Sequence, residues 1–287
     1  MKLGQRAHKA TDPVGSVTRL HGGDALHHLL ERQRAYATFA IGCLDPRHAS
    51  STEWWQAESS DGSALLMHAH TGIGPSLFAM GDPAALEVAL SFHPGPLFTF
   101  ATFQIEHTPI MERFFSIVNR QPMQRMIVTR AAFRQTGKKA IRLTASDLSR
   151  VNRLYGKEGG QYTSRHLQEG LYYGVTQDGE LVAIAGTHVI SPSEGVAVVG
   201  NVYTHPKYRN RGYATAATAA VTEELLSSCA TVALTVDPKN TPAVRAYRKL
   251  GYSAEGLLME SPARRRDVLG LGSMLRRCFS DNVVHTG

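Results

Sequence analysis

The chain has 287 residues, of which 43% are hydrophobic and 19% are charged, and its formal net charge is +7 at pH 7. This length suits about two domains, and the composition is that of a folded chain and excludes intrinsic disorder. No apolar run approaches the roughly 20 residues of a membrane-spanning helix, and residues 1–15 lack the apolar core of a secretory signal, so we expect a cytoplasmic protein without a membrane partner.

Cysteine spacing and charge narrow the classes of partner. Cys43, Cys229 and Cys278 are odd in number and far apart, which argues against a disulfide framework and a zinc ribbon. The positive charge favours anionic partners such as nucleotides. The arginines at 264–266 and 276–277 are most simply a solvated basic surface, and no recognition-helix, RRM or zinc-finger pattern accompanies them. We therefore do not expect nucleic acid as a partner.

Residues 1–125 have the pattern of an α/β domain. A helix beginning near residue 24 runs into a strand near residues 37–42. Strand patterns at 63–70 and 76–80 flank the turn-like TGIGP, as in a hairpin, and Asp82 caps a helix that starts with Pro83. A strand at 96–103 and a second capped helix over 108–118 follow.

Residues 126–139 contain a strand candidate and the polar RQTGKK, which predicts a linker or crossover strand. Residues 140–262 then give a second domain, and residues 263–287 a basic C-terminal tail. The predicted order is a strand at 140–144, a helix at 147–156 capped by Ser146, a short helix at 164–170, a hairpin turning at Asp178–Gly179, a strand at 196–204, a helix from about 211, a strand at 231–237, a helix at 241–251 and a return strand. Hairpins followed by strand–helix–strand–helix indicate an α+β, or mixed α/β, domain.

The segment HPKYRNRGYATAATAAVTEELL, residues 205–226, places Lys207, Arg209 and Arg211 directly before Gly212 and an apolar helix. Positive charge is unfavourable there, because the helix dipole already makes the N-terminus positive. A bound pyrophosphate would offset that charge, and its oxygens would accept from unpaired backbone N–H groups that Gly212 leaves accessible. The pattern R-x-x-G-x-A, ending at Ala214, therefore predicts a nucleotide site, while the GxxxxGK[ST] pattern of P-loop NTPases is absent.

A second segment, LTVDPKNTPAVRAYRKLGY, supplies a chemical group. Tyr247 lies about two turns into the helix that follows Asn240. A phenol at this position beside a bound thioester could protonate a departing thiolate as a general acid. The alternative is a half-buried core tyrosine whose hydroxyl reaches water.

Together the two segments resemble the signatures of the GNAT superfamily of acyl-CoA-dependent N-acyltransferases. Arg209, Gly212 and Ala214 match its Q/R-x-x-G-x-G/A pattern, and Asn240 and Tyr247 with the LGY ending match its second signature. The resemblance covers about residues 140–260. It implies a GNAT fold, with a mixed central sheet flanked by helices, and acetyl-CoA as co-substrate. The reaction implied is direct attack by a primary amine in a ternary complex, without a covalent enzyme intermediate.

The resemblance also implies roles for particular residues. Tyr247 would protonate the leaving thiolate, and Asn240 would contact the cofactor near its pantetheine arm. Val202 and Thr204, with Tyr203 between them, would offer backbone groups to that arm. The pyrophosphate would be held at Arg209 of the pattern and by the amides of Asn210, Arg211, Gly212, Tyr213, Ala214 and Thr215.

The sequence departs from the superfamily pattern at the general base. Many members of the superfamily have a glutamate on the signature strand for this role. The nearest equivalent here is Asn201. Glu194, His188 and Asp237 are candidates for relaying the proton, and an amine of low pKa would need no base. No metal is expected, because His68 and His70 on one face of a strand lack an evident third ligand.

The N-terminal half alternates strands and helices, as a degenerate copy of the same fold would. This arrangement resembles the glycine N-acyltransferase-like branch, in which such a half precedes an FR47-like catalytic half. Residues 1–125 do not repeat the two signatures, so we expect this half to shape the acceptor site without binding a second CoA. Alternatives are a non-catalytic acyl-CoA binder or sensor, and a protein acetylase recruited by the basic tail. Exposed strand edges favour a homodimer.

Overall fold

The structure is a computed structural model that describes residues 15–71, 74–156 and 162–279. The elements of its N-terminal half are β1 (Ser16–Leu20), α1 (Asp24–Glu31), α2 (Arg34–Gly42), β2 (Thr52–Glu58), β3 (Ser63–Thr71), β4 (Gly74–Gly81), α3 (Pro83–Phe92), β5 (Phe98–Phe103), α4 (Thr108–Phe114), β6 (Phe115–Ile117) and β7 (Met123–Thr129). Those of the C-terminal half are β8 (Ile141–Arg142), α5 (Leu148–Tyr155), α6 (Ser164–Glu169), β9 (Tyr173–Gln177), β10 (Glu180–Ser191), β11 (Val196–Thr204), α7 (Tyr213–Leu225), β12 (Thr231–Val236), α8 (Thr241–Lys249), β13 (Ser253–Arg265) and α9 (Leu271–Phe279).

The two halves repeat one order of elements. In the N-terminal half, β1 to β4 pair antiparallel in sequence, with α1 and α2 between the first two strands, and β5 follows α3 and pairs parallel with β4. In the C-terminal half, β8 to β11, α5 with α6, α7 and β12 repeat the same connections and pairings. The mixed sheet flanked by helices confirms the predicted fold class.

The sheet runs continuously through both halves, in the order β1-β2-β3-β4-β5-β13-β7-β12-β11-β10-β9-β8. The long strand β13 makes this connection. Its first part pairs with β7 and its second part pairs with β5 and β6. Because β7 in turn pairs with β12, each half contributes a strand to the sheet of the other.

Three local predictions were wrong. Residues 37–42 belong to helix α2, because this helix is buried between the halves and an apolar run in such a helix looks like a strand in sequence. The predicted helix over 108–118 ends at Phe114, and β6 begins at once. The cap of the segment that leads into α5 is Thr144, which forms a capping box with Asp147, and not Ser146.

Other local predictions were confirmed. The β3–β4 and β9–β10 hairpins form, although the turn residues Gly72 and Ile73 lie outside the described residues. Asp82 caps α3 by accepting a hydrogen bond from the Ala85 N–H at 2.9 Å, with Pro83 in the first turn.

The C-terminal arginines bind backbone carbonyls near the ends of N-terminal helices. Arg277 donates to the carbonyl of Phe92, the last residue of α3, and Arg266 donates to the carbonyls of Glu112 and Phe115 around the end of α4. Cations at helix C-termini offset the partial negative charge of the unpaired carbonyls. These arginines therefore join the C-terminal segment to the N-terminal half.

A buried carboxylate joins the two halves on the other side of the sheet. Asp45, which follows α2, accepts hydrogen bonds from the Ser191 and Ser193 hydroxyls at 3.0 and 3.2 Å. Arg47 donates to Asp45 through Nε at 2.8 Å and to the Ile190 carbonyl at 2.7 Å. The hydrogen bonds from Arg47 are the largest cause of a pKa of Asp45 well below its usual range.

We expect Asp45→Asn to lower the free energy of unfolding at pH 7 by about 1–3 kcal/mol, because charged hydrogen bonds become neutral ones. The folded-state pKa lies below the ordinary value of 3.8, so this contribution is complete above that value and is lost as the pH falls below it. The measurement is urea unfolding of both proteins between pH 7 and pH 3. The difference should narrow with acidification, and a difference independent of pH would contradict the account.

The matched control is Asp61→Asn, which removes an exposed carboxylate from a surface turn and should change the unfolding free energy little at any pH.

Candidate active site

A deep cleft opens where β11 runs into α7. Gly212, the residue before the helix, has a left-handed φ of 76°, and Asn210 has φ 63°. The first backbone bond of the helix runs from the Ala216 N–H to the Gly212 carbonyl at 3.1 Å, so the preceding amides of Tyr213, Ala214 and Thr215 have no partner in the helical ladder. Unpaired N–H groups at a helix N-terminus are of the kind that can bind an anion.

The cleft has a volume of about 860 Å³ and reaches from this helix end to α8. The predicted site residues that line it are Val202, Tyr203, Thr204, Arg209, Asn210, Gly212, Tyr213, Ala214, Thr215, Asn240 and Tyr247. Of the predicted site residues, Arg211 does not line the cleft. Its guanidinium lies 5.5 Å from the centre of the ring of Tyr208, which does line it. The structure therefore brings two sequence-distant signatures to one cleft, and the roles of their residues stay predictions.

The floor of the cleft is a gap between two parallel strands. β11 and β12 pair from Val196–Thr231 to Val198–Ala233 and diverge beyond that point. Asn201, with φ 54°, lies in a β-bulge of β11, where Asn201 and Val202 oppose Ala185 of β10. The Tyr155 hydroxyl donates to the Asn201 carbonyl at 2.5 Å, which helps to hold this strained conformation.

Helix α8 covers the other side of the gap. The Asn240 side chain accepts a hydrogen bond from the Ala243 N–H at 3.3 Å and so caps the helix, a second task beside its predicted contact with the cofactor. Tyr247 is 7% exposed, and burial raises the pKa of its phenol to about 12. The phenol is therefore protonated at neutral pH, as a general acid must be.

A second cavity of about 370 Å³ adjoins the cleft. The two spaces share Val202, Asn240, Ala243 and Tyr247. Of the three candidates for proton relay, His188 and Asp237 line this cavity. Glu194 lies elsewhere, at the β10–β11 turn, with its carboxylate 3.0 Å from His27 Nε2.

Glu260 is an acidic residue of the second cavity that no sequence pattern indicated. Glu260 lies on β13, where its Oε1 accepts from Arg125 Nη2 at 3.2 Å and from Thr235 Oγ1 at 3.1 Å. Its position depends on the fold, since β13 pairs with β7 and β7 in turn pairs with β12, and no local sequence pattern encodes this pairing.

Comparison with known proteins agrees with this geometry. Residues 131–252 match the family model described as "Acetyltransferase (GNAT) family". This part of the chain is therefore similar to a GNAT-family acetyltransferase domain. No curated protein matches the chain significantly.

Solved structures with the GNAT fold resemble the chain over both halves. A GNAT-family protein from Novosphingobium aromaticivorans is 21% identical with a TM-score of 0.57, over 79% of this chain and 96% of that one. A GCN5-related N-acetyltransferase from Kribbella flavida is 19% identical with a TM-score of 0.53, over 81% and 94% of the two chains. At these identities the likeness establishes the fold alone. The FR47-like and glycine N-acyltransferase-like arrangement stays a prediction.

This similarity supports acyl transfer in general as the activity of residues 131–252. Acetyl-CoA is the usual co-substrate of the matched family. Within residues 15–71, 74–156 and 162–279, no group of three His, Cys, Asp or Glu side chains is placed to hold a metal ion. No helix in this part of the chain has the length and apolar composition needed to cross a lipid bilayer.

One further cation lies near the N-terminus of α7: Lys138, in the segment predicted from sequence as a linker or crossover strand. Its ammonium donates to the Arg211 carbonyl and lies 4.8 Å from the centre of the Tyr213 ring. A Cβ built on Gly212 would be 3.8 Å from Lys138 Nζ. Lys138 therefore adds positive charge beside the unpaired amides of α7, and we infer that it contacts a bound cofactor phosphate.

We expect Lys138→Met to weaken acetyl-CoA binding about fivefold, because an exposed ionic contact contributes about 1 kcal/mol. Isothermal titration calorimetry with acetyl-CoA measures this effect. Lys139→Met is the matched control, since the neighbouring exposed lysine has the same charge and should bind acetyl-CoA as the wild type does. Equal affinities of the two variants would contradict a phosphate contact by Lys138.

Proposed function

We propose that the chain is an N-acetyltransferase that transfers the acetyl group of acetyl-CoA to a primary amine by direct attack in a ternary complex. The observation that carries this proposal is the position of Tyr247, which lines both the cleft at the α7 N-terminus and the adjoining cavity. A donor in one space and an acceptor in the other would meet beside its hydroxyl.

The cleft suits the chemistry of a CoA thioester. Pyrophosphate oxygens would accept hydrogen bonds from the amides of Gly212, Tyr213 and Ala214. The pantetheine arm would extend along Val202 to Thr204 toward the gap between β11 and β12. Strand amides that β12 leaves unpaired there could stabilise the oxyanion of the tetrahedral intermediate.

The bond changes follow from this placement. A neutral amine attacks the thioester carbonyl, a C–N bond forms and the C–S bond breaks. The departing thiolate takes a proton from the Tyr247 phenol, which burial keeps protonated up to a pH of about 12. A small amine fits the second cavity, whose described lining includes the carboxyl side chains of Asp237 and Glu260.

The described residues of the N-terminal half contain no equivalent site for a cofactor pyrophosphate. The helix that corresponds to α7 is α3. The carboxylate of its N-cap residue, Asp82, already accepts a hydrogen bond from the Ala85 N–H in the first turn. A carboxylate at that position would repel pyrophosphate. This supports one acetyl-CoA per chain, with the N-terminal half shaping the acceptor side. The proposal includes a cytoplasmic protein, and the homodimer stays a prediction.

The direct test is thiol release from acetyl-CoA in the presence of a panel of small primary amines, with mass spectrometry of the acetylated product. Release that depends on an amine supports the proposal. Binding of acetyl-CoA without release for any amine would favour the alternative, a non-catalytic acyl-CoA binder or sensor.

We expect Tyr247→Phe to lower kcat about 100-fold while the Kd for acetyl-CoA changes little, because the variant loses the proton donor and keeps the ring. Steady-state kinetics and calorimetry measure the two effects. The control is Tyr252→Phe. The Tyr252 hydroxyl forms a hydrogen bond with the Thr222 hydroxyl at 2.8 Å in the core, so its removal should lower stability and leave kcat unchanged. An unchanged kcat in Tyr247→Phe would remove the general-acid assignment.

A further inference from the structure

His188 is the extra residue of a β-bulge in β10. Thr187 pairs with Val199 and Val189 pairs with Val198, so His188 has no partner residue on β11. Bulges commonly redirect a side chain next to an active site. This one lies close to the second bulge, in which Asn201 and Val202 oppose Ala185.

The His188 imidazole occupies space above the signature strand that Gly200 leaves open. A Cβ built on Gly200 would lie 2.0 Å from His188 Nε2 and 2.3 Å from its Cε1, far inside contact distance. Any larger residue at position 200 would therefore displace the ring. The ring lies next to Asn201, at the position where the superfamily resemblance leads one to expect a carboxylate and this chain has none.

The cavities place His188 between the acceptor space and the interior. His188 lines the second cavity together with Tyr247, and it also lines a smaller space next to Phe39 and Phe100 of the N-terminal half. Glu260 lines both of these spaces as well. A proton taken up at His188 would thus lie beside a carboxylate.

Glu260 is held in a fixed position. Its Oε1 accepts two hydrogen bonds, from Arg125 and from Thr235. Arg125 is 2% exposed, and its Nε and Nη1 are buried without a hydrogen-bond partner among the described residues. A buried guanidinium with incomplete hydrogen bonding costs stability, and such costs are typical of functional sites.

We infer that His188 is the catalytic base of this site, that Glu260 stabilises the imidazolium it forms, and that Arg125 positions Glu260. This inference rests on the proposed acetyl transfer. As the C–N bond forms and the C–S bond breaks, the amine nitrogen loses a proton to His188 and the thiolate sulfur gains one from Tyr247. Solvent then returns a proton from the imidazolium to the phenolate, so the enzyme is unchanged after one turnover.

The protonation state of His188 suits this role. Burial is the largest influence and lowers its pKa below the ordinary 6.5, whereas the Glu260 charge and a hydrogen bond with Asn201 raise it and Arg125 lowers it. The other titratable or charged groups that line the cavities around His188 are Asp237 in the second cavity and, on its other side, Arg47, His48, His70, Arg165, His166, Glu169 and Tyr172. The imidazole is neutral at pH 7 and ready to accept a proton.

The test compares His188→Gln with the wild type and with His28→Gln, a control that removes an exposed histidine from α1. The assay is acetyl-CoA thiol release over pH 5 to 9 with one amine from the panel. Each profile is divided by the fraction of neutral amine at that pH, so that any remaining acidic limb reports titration of the enzyme. We expect His188→Gln to lower kcat about 100-fold, with KM for acetyl-CoA retained. The variant should also lose the acidic limb of the wild-type profile, which is the fall in kcat at low pH as His188 becomes protonated. His28→Gln should behave as the wild type.

Two further variants test the position of the His188 ring and the influence of the Glu260 charge on it. Gly200→Ala should lower kcat as His188→Gln does, because the added methyl displaces the imidazole. Glu260→Gln keeps an oxygen for Arg125 and Thr235, and it should move the acidic limb to lower pH, since the carboxylate raises the pKa of His188. Thermal unfolding and acetyl-CoA calorimetry check that each variant is folded.

The outcomes are distinguishable. An acidic limb that persists in His188→Gln, or a limb that does not move in Glu260→Gln, would overturn the inference while leaving acetyl transfer intact. Absence of thiol release from the wild type with every amine, despite acetyl-CoA binding, would remove the proposed function and this inference with it.

Discussion

The parting of two parallel strands is the constraint on which the site depends. β11 and β12 share a ladder from Val196 to Val198 and then separate, so a stretch of backbone ends without the partner that a continuous sheet would give it. Buried backbone groups need hydrogen bonds, and a ligand that enters the gap can supply them. The left-handed Asn201 and the α7 N-terminus at Gly212 lie further along the same strand–loop–helix connection. The proposed cofactor position and the proposed acceptor cavity both depend on this separation.

The N-terminal half contributes to the same region through burial. Helix α2 packs its apolar residues against both halves, since Ala37, Phe39 and Ile41 share a core with Met67 of β3 and Val198 of β11. Phe39 and Phe100 also line the small space behind His188. Through the shared strand β13, the half that lacks a cofactor end forms part of the wall of the proposed acceptor side. Residues 1–125 do not contain the two signatures, and their packing against β11 is consistent with a supporting role.

The sequence predicted the local features well. Caps, turns and chemical signatures depend on neighbouring residues, so Asp82, the Asp178–Gly179 turn and the segment from Arg209 to Ala214 could be interpreted from short patterns. The errors arose where tertiary contacts decide. Residues 37–42 are apolar because both halves bury them, and burial on all sides removes the periodicity that distinguishes a helix from a strand. Glu260 and Lys138 reach the site through strand pairing and loop packing across long separations in sequence, and single-sequence patterns contain no signal for such contacts.

The most direct test of the account is calorimetric titration of acetyl-CoA into the wild type and Gly212→Asp. A carboxylate at the start of α7 would oppose the pyrophosphate both by charge and by occupying the approach to the amides. Gly179→Asp, at another exposed glycine with positive φ, controls for backbone strain. The account predicts saturable binding by the wild type and by Gly179→Asp, and loss of binding by Gly212→Asp. Equal binding by all three proteins, or no binding by the wild type, would contradict it.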